Sequence, residues 1–180
     1  MKINVMKKLL LIMTLTILVV GCGEKTDDSS YDVVTNSPRI FTFEELESIG
    51  FKKSKEYDVT GLEGAIKAIN GFWLTDIGKK EYELRFYPSH SIAVSLGESL
   101  AQEVTGKDAI IKKSDATWKE GIKERRRIKG QLGTSSGGNS TGPKHGNYSI
   151  YGNIVILCEG PEILSLEVCW ELISALEELD

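Results

Sequence analysis

Between Glu81 and Pro88 the chain alternates: Tyr82, Leu84 and Phe86 share one side, Glu83, Arg85 and Tyr87 the other. A period of two marks a β-strand, because successive side chains point to opposite faces. Upstream, Phe72-Trp73-Leu74 is apolar, and Gly78-Lys79-Lys80 between the two runs suits a turn, so the pair reads as a hairpin. A second hairpin is predicted from Tyr148–Ile150 and Ile154–Cys158, with Gly152-Asn153 as its turn.

Helical spacing surrounds these hairpins. Phe43–Ile49 reads as a short helix capped by Thr42. Thr60–Asn70 places Leu62, Ala65, Ile66 and Ile69 at helical intervals. After Ser89, a good N-cap, Ile92, Leu96, Leu100 and Val104 recur every fourth residue, flanked by Ala93, Gly97 and Ala101, and Gly106 is a natural stop. Asp115–Lys129 is a weaker helix candidate. Leu164–Leu179 closes the chain as a helix, with Ile163, Leu166, Trp170, Ile173 and Leu176 available for one face. Gly130–Asn147 holds six glycines and reads as a flexible loop. The expected class is α+β, a small antiparallel or mixed sheet with helices packed on one face.

The amino terminus is of another kind. Met1–Lys8 carries three lysines, and Leu9–Val20 is a run of twelve residues, all aliphatic, methionine or threonine. A charged start, a short apolar core and a small-residue exit make an export signal, and the run is shorter than the roughly 20 apolar residues a membrane-spanning helix needs. The exit, Val19-Val20-Gly21-Cys22, resembles the lipobox of bacterial lipoproteins. That resemblance covers residues 1–23 and implies cleavage before Cys22, with diacylglycerol on its thiol. Two or more acyl chains hold a protein stably at a membrane where one does not. Residues 22–38 then read as a lipidated cysteine and a polar tether, with a reach of roughly 20–25 Å. Residues 39–180 form the expected domain, similar to the small strand–helix–strand domains of many bacterial envelope lipoproteins.

Loss of the signal lysines takes the formal charge from −4 to −7 over the remaining 159 residues. That balance disfavours nucleic acid as a partner. The charge is uneven. Lys112–Lys129 holds eight basic and three acidic residues, whereas Glu159–Asp180 holds seven acids and no base. Lys119, Lys123, Arg125, Arg126, Arg127 and Lys129 form the densest cluster. Three readings stand: a solvated helix face, an internal partner for the acidic final helix, or a docking surface for anionic polymer or lipid head groups.

Cys158 and Cys169 remain after export, and outside the cytoplasm a disulfide is the natural reading. Bridged Cα atoms lie within about 7 Å. A helix beginning at Pro161 would carry Cys169 roughly 12 Å along its axis, out of reach of the strand end, so the bridge is expected only if the helix starts near Ser165. Two buried free thiols are the alternative. A zinc site would need His90 and His145 as well, without any CxxC or HxxxH spacing, so no metal or cofactor is expected.

His90 follows a helix N-cap and could serve acid–base chemistry; His145 falls in the glycine-rich segment. No GxSxG, HExxH, SxxK, Walker A or GxGxxG motif is present. The aromatic hairpin residues Phe72, Trp73, Tyr82 and Phe86 are expected in the core, and would mark a sugar or peptide surface if exposed. The reading that follows is a lipid-anchored, extracytoplasmic binding or interaction domain of the cell envelope. It would be held by the membrane through Cys22, with another envelope protein or anionic polymer as partner. A hydrolase of wall or surface material using His90 is the alternative.

Overall fold

The computed structural model describes residues 31–129 and 140–179. The expected signal (residues 1–21) and the lipidation site Cys22 lie outside the described residues, as does most of the expected tether. No described helix is long and apolar enough to cross a membrane.

Among the described residues the elements follow one another as β1 (Val34–Thr35), α1 (Phe43–Ser48), β2 (Lys52–Tyr57), β3 (Lys67–Thr75), β4 (Gly78–Phe86), α2 (His90–Ile92), a π-helical turn (Ala93–Gly97), α3 (Glu98–Gln102), β5 (Arg126–Lys129), β6 (Ser140–Pro143), β7 (His145–Tyr151), β8 (Ile154–Glu159) and α4 (Glu162–Glu177). Six strands form one mixed sheet in the order β1-β7-β8-β4-β3-β2, and β5 and β6 pair separately. Within the large sheet β1 runs parallel to β7, and the other neighbours are antiparallel.

Both predicted hairpins form, but the first turns at Asp76-Ile77, not at the expected Gly78-Lys79-Lys80: these three residues belong to β4 and pair with Thr75, Leu74 and Trp73. The second pairs Tyr151 with Ile154 around Gly152-Asn153, as expected. The Thr42 cap also forms: its side chain accepts from Glu45 N, and the Glu45 carboxylate accepts from Thr42 N at 2.7 Å, a reciprocal capping box.

The helices do not share one face, as the sequence had suggested. Tyr82, Leu84 and Phe86 of β4 and Ile154, Ile156 and Cys158 of β8 pack with Val168, Cys169, Leu172, Ile173 and Leu176 of α4, and with Phe43 and Leu46 of α1. The alternate residues Val155 and Leu157 face the other way, against Ala93, Ala101 and Val104. A strand apolar on both faces, as β8 is, must be covered on both. Along α2–α3 the buried residues are the small ones, Ala93, Gly97 and Ala101, while Ile92, Leu96 and Leu100 are half-buried. Small side chains let this segment approach the sheet closely: a Cβ on Gly97 would lie 2.8 Å from the Tyr87 ring.

Several other expectations need correction. Thr60–Asn70 is not a helix. Gly64 sits at φ +74°, where an L residue is strained, and from Lys67 onward the chain is sandwiched between β2 and β4. Asp115–Lys129 is turns followed by β5 rather than a helix. The expected tether ends earlier than residue 38, because Val34 and Thr35 pair with Ile150 and Tyr151 and Tyr31 stacks on Trp170. The expected loop at 130–147 gives way at its far end to β6 and β7, with His145 and Gly146 buried; residues 130–139 lie outside the described residues. On α4 the buried face is carried by Ser165, Val168, Cys169, Leu172, Ile173 and Leu176, whereas Ile163 is exposed.

Cys158 and Cys169 form a disulfide, with Cα atoms 5.5 Å apart. The helix nevertheless begins at Glu162, the start that axial distance had ruled out. Distance along the helix axis is not distance from the strand, because the helix does not continue away from the strand end. Helix α4 folds back over β8, so Cys169 lies above Ile156, whose carbonyl is 3.6 Å from Cys169 Sγ.

Candidate functional site

The polar side of β4 is as buried as the apolar side. Glu83 and Arg85 are 0% and 1% exposed, and Arg125 is 0% exposed. The Glu83 carboxylate accepts from Arg125 Nε at 2.6 Å and Arg125 Nη2 at 2.9 Å, and from Arg85 Nε at 2.8 Å. Both guanidinium groups also lie over the Trp118 ring, at 5.2 Å for Arg85 and 4.7 Å for Arg125. Two cations thus share one carboxylate and one aromatic ring, and the negative π-cloud of the indole partly offsets the unmatched positive charge.

Burial alone would push the Glu83 carboxyl up. The charges of Arg125 and Arg85 overcome it and hold the group at about 2. His145, beside this cluster, is also fully buried. Burial pushes it down to about 3, so it is neutral at ordinary pH; the Glu83 charge opposes the shift and Arg125 adds to it. Arg85 Nη1, Arg125 Nη1, both ring nitrogens of His145 and the hydroxyls of Tyr57 and Tyr87 make no hydrogen bond within the described protein.

Arg125 pins the basic segment to the sheet. The chain reaches it through Gly121, at φ +72°, where a Cβ would meet Arg125 Nη2 at 2.9 Å and Glu83 Oε2 at 3.1 Å. Only a residue without a side chain lets the backbone pass so close over the ion cluster. Outside this contact the segment lines a groove of about 350 Å³, walled by Lys55, Lys113, Lys119, Lys123 and Arg126 together with Glu120 and Glu124. Lys55 is paired with Glu124 at 3.2 Å, and Arg126 donates from Nε to the Ile111 carbonyl at 2.6 Å. Lys113, Lys119 and Lys123 are exposed.

Residues 42–178 match the Family of unknown function (DUF6810). The chain belongs to that family. No curated protein and no solved structure matches it. The DUF6810 match spans the ion cluster, the groove and the disulfide, and begins after Cys22 and Tyr31.

Within the DUF6810 chain the six residues proposed as a basic cluster separate. Lys119, Lys123 and Arg126 face the groove. Arg125 is turned inward and unavailable to any partner, a correction forced by its pairing with Glu83. Arg127 is exposed but lines a different depression, of about 190 Å³, with Lys107, Gly146 and Glu162. The side chain of Lys129 lies outside the described residues. The internal pairing proposed between this segment and the acidic final helix is not among the described ion pairs, where Arg125 takes Glu83.

His90 Nδ1 lies 2.9 Å from the Gly152 carbonyl, so the ring braces the β7–β8 turn. His145 is buried, not set in an exposed loop. Of the aromatic hairpin, Tyr82 and Phe86 are buried as expected, while Phe72 and Trp73 are half-buried. Sequence reasoning missed Glu83 as a member of any site. The signal available was the polar set Glu83, Arg85 and Tyr87 on one strand face, combined with a distant basic run.

Proposed function

We propose that this DUF6810 chain is a lipid-anchored, extracytoplasmic binding domain of the bacterial cell envelope, docking an anionic envelope polymer in the groove of Lys113, Lys119, Lys123 and Arg126. The observation that carries the reading is the groove itself. Several cations converge on about 350 Å³, a volume typical of ligand sites, and buried Arg125 holds their backbone in place. Convergent positive charge attracts polyanions over roughly a Debye length and orients them on arrival. The address rests on the lipobox at Val19–Cys22 and is consistent with a disulfide, which persists outside the reducing cytoplasm.

Two measurements test it. Long-chain polyphosphate, as a model polyanion, is expected to bind the purified chain with an affinity that falls as salt rises. The combined Lys119→Gln, Lys123→Gln, Arg126→Gln variant is expected to lose that binding, while Arg127→Gln keeps it. Unchanged binding by the triple variant rejects the groove. For the anchor, Cys22→Ala is expected to abolish incorporation of labelled fatty acid and leave the precursor uncleaved; labelling that persists rejects it.

A further inference from the structure

A second concavity lies where the β3–β4 hairpin meets α4, lined by Tyr31, Trp73, Leu74, Asp76, Trp170 and Glu171, with Glu178 at its edge. Its volume is about 430 Å³. From these residues we infer that the cleft binds a small organic cation, an alkylammonium group held by aromatic rings and carboxylates.

The aromatic wall is held in place by neighbouring groups. Trp170 Nε1 donates to the Asp32 carbonyl at 3.0 Å, and its ring stacks on Tyr31 at 6.0 Å and meets Tyr151 edge-on at 5.9 Å. Trp73 Nε1 donates to the Ile49 carbonyl at 2.9 Å. With both indole N–H groups satisfied by backbone, what Trp73 and Trp170 present to the cleft is the unburied part of their aromatic rings rather than a hydrogen-bond donor, and aromatic rings attract cations. Both indoles are half-buried, so these rings are neither lost in the core nor loose in solvent.

The charge of the cleft has one sign. Asp76, Glu171 and Glu178 line it with no basic side chain, and none of the three forms an ion pair with a described residue. Leu74, 72% exposed, supplies an apolar flank for the alkyl part of the ligand. Aromatic rings alone would serve a neutral sugar equally well. Three carboxylates lining the cleft, none in an ion pair with a described residue, select a cation and repel the polyanions that suit the opposite-signed groove. The inference is independent of that groove.

Tryptophan fluorescence reads the cleft directly. Of the three tryptophans in the chain two line it, while Trp118 is buried. The full chain, in a polyoxyethylene detergent that carries neither sugar nor ammonium, is titrated with choline chloride against sodium chloride and glucose. Choline is expected to give a saturable change that the two controls do not. Asp76→Asn with Glu171→Gln, two exposed or half-exposed positions where folding is preserved, is expected to weaken choline by about tenfold or more, with calorimetry as a second readout. Absence of a saturable choline response overturns the inference. So does glucose binding that survives the carboxylate substitutions, which would make the cleft a saccharide site.

Discussion

Glu83 accepts two hydrogen bonds from the single guanidinium of Arg125, at 2.6 and 2.9 Å, across 42 positions of sequence. Bidentate pairing fixes orientation as well as distance. It ties the segment that walls the basic groove to a central strand of the sheet. Arg85 completes the cluster from the same strand as Glu83.

This arrangement predicts an asymmetry. Glu83→Gln leaves two buried guanidinium groups without a counter-charge and should cost about 3–5 kcal/mol of unfolding free energy. Arg125→Met leaves a neutral Glu83–Arg85 pair and should cost less. Urea unfolding of both variants checks the order, and an Arg125→Met loss equal to or above that of Glu83→Gln contradicts it.

Stability should fall as pH falls, in two steps. His145 drops from an ordinary 6.5 to about 3 on folding, so the unfolded chain binds its proton first, and folded-state stability drains away from pH 6.5 downward. Glu83 drops from 4.5 to about 2, so its contribution is present above 4.5 and is lost toward 2. Between pH 6.5 and 4.5 the slope belongs to His145. Urea midpoints measured across that window should decline for the native chain and stay flatter for His145→Gln.

The disulfide closes a sequence separation of 11, and by loop entropy its removal should cost about 3 kcal/mol. The double variant Cys158→Ala, Cys169→Ala should unfold at correspondingly lower urea. Reductant should shift the native chain and leave the variant unmoved. Two thiols titrating in the non-reduced, denatured native chain would show that the bridge is absent.

Gly146→Ala should be poorly tolerated. A Cβ there would lie 2.5 Å from the Gly160 carbonyl oxygen and 2.6 Å from Glu162 N, both backbone atoms at the entry to α4. Backbone cannot swing aside as a side chain can, so the loss should reach at least about 3 kcal/mol, the upper end for overpacking. A fall below about 1 kcal/mol on chemical unfolding would show that the β7 start and the α4 entry separate readily.

Much of the local structure was legible from residue order. The two hairpins, the Thr42 and Ser89 caps and the closing helix are written in short-range pattern: alternation, turn residues and a side-chain oxygen placed to meet a free N–H. The failures share a cause. Thr60–Asn70 has a helical apolar spacing, yet Lys67–Thr75 is held as a strand by neighbours on both sides, and such pairing outweighs local propensity. Lys52–Tyr57 carries one apolar position in six and shows little strand pattern, because it is the charged edge of the sheet.

By itself the sequence determined the strands with clear alternation and the charge imbalance between Lys112–Lys129 and the final helix, and it carries the lipobox-like stretch on which the proposed anchor rests. Each of these depends on neighbours a few residues apart or on composition. Tertiary structure decided that Arg125 faces inward while Lys119 and Lys123 face out, and that Tyr31, Trp73 and Trp170 meet around one cleft. It also decided that Cys169 lies above β8 although its helix begins at Glu162. Those outcomes depend on which elements pack on which face of the sheet. That choice is made by long-range burial and pairing, to which no local spacing in the chain corresponds.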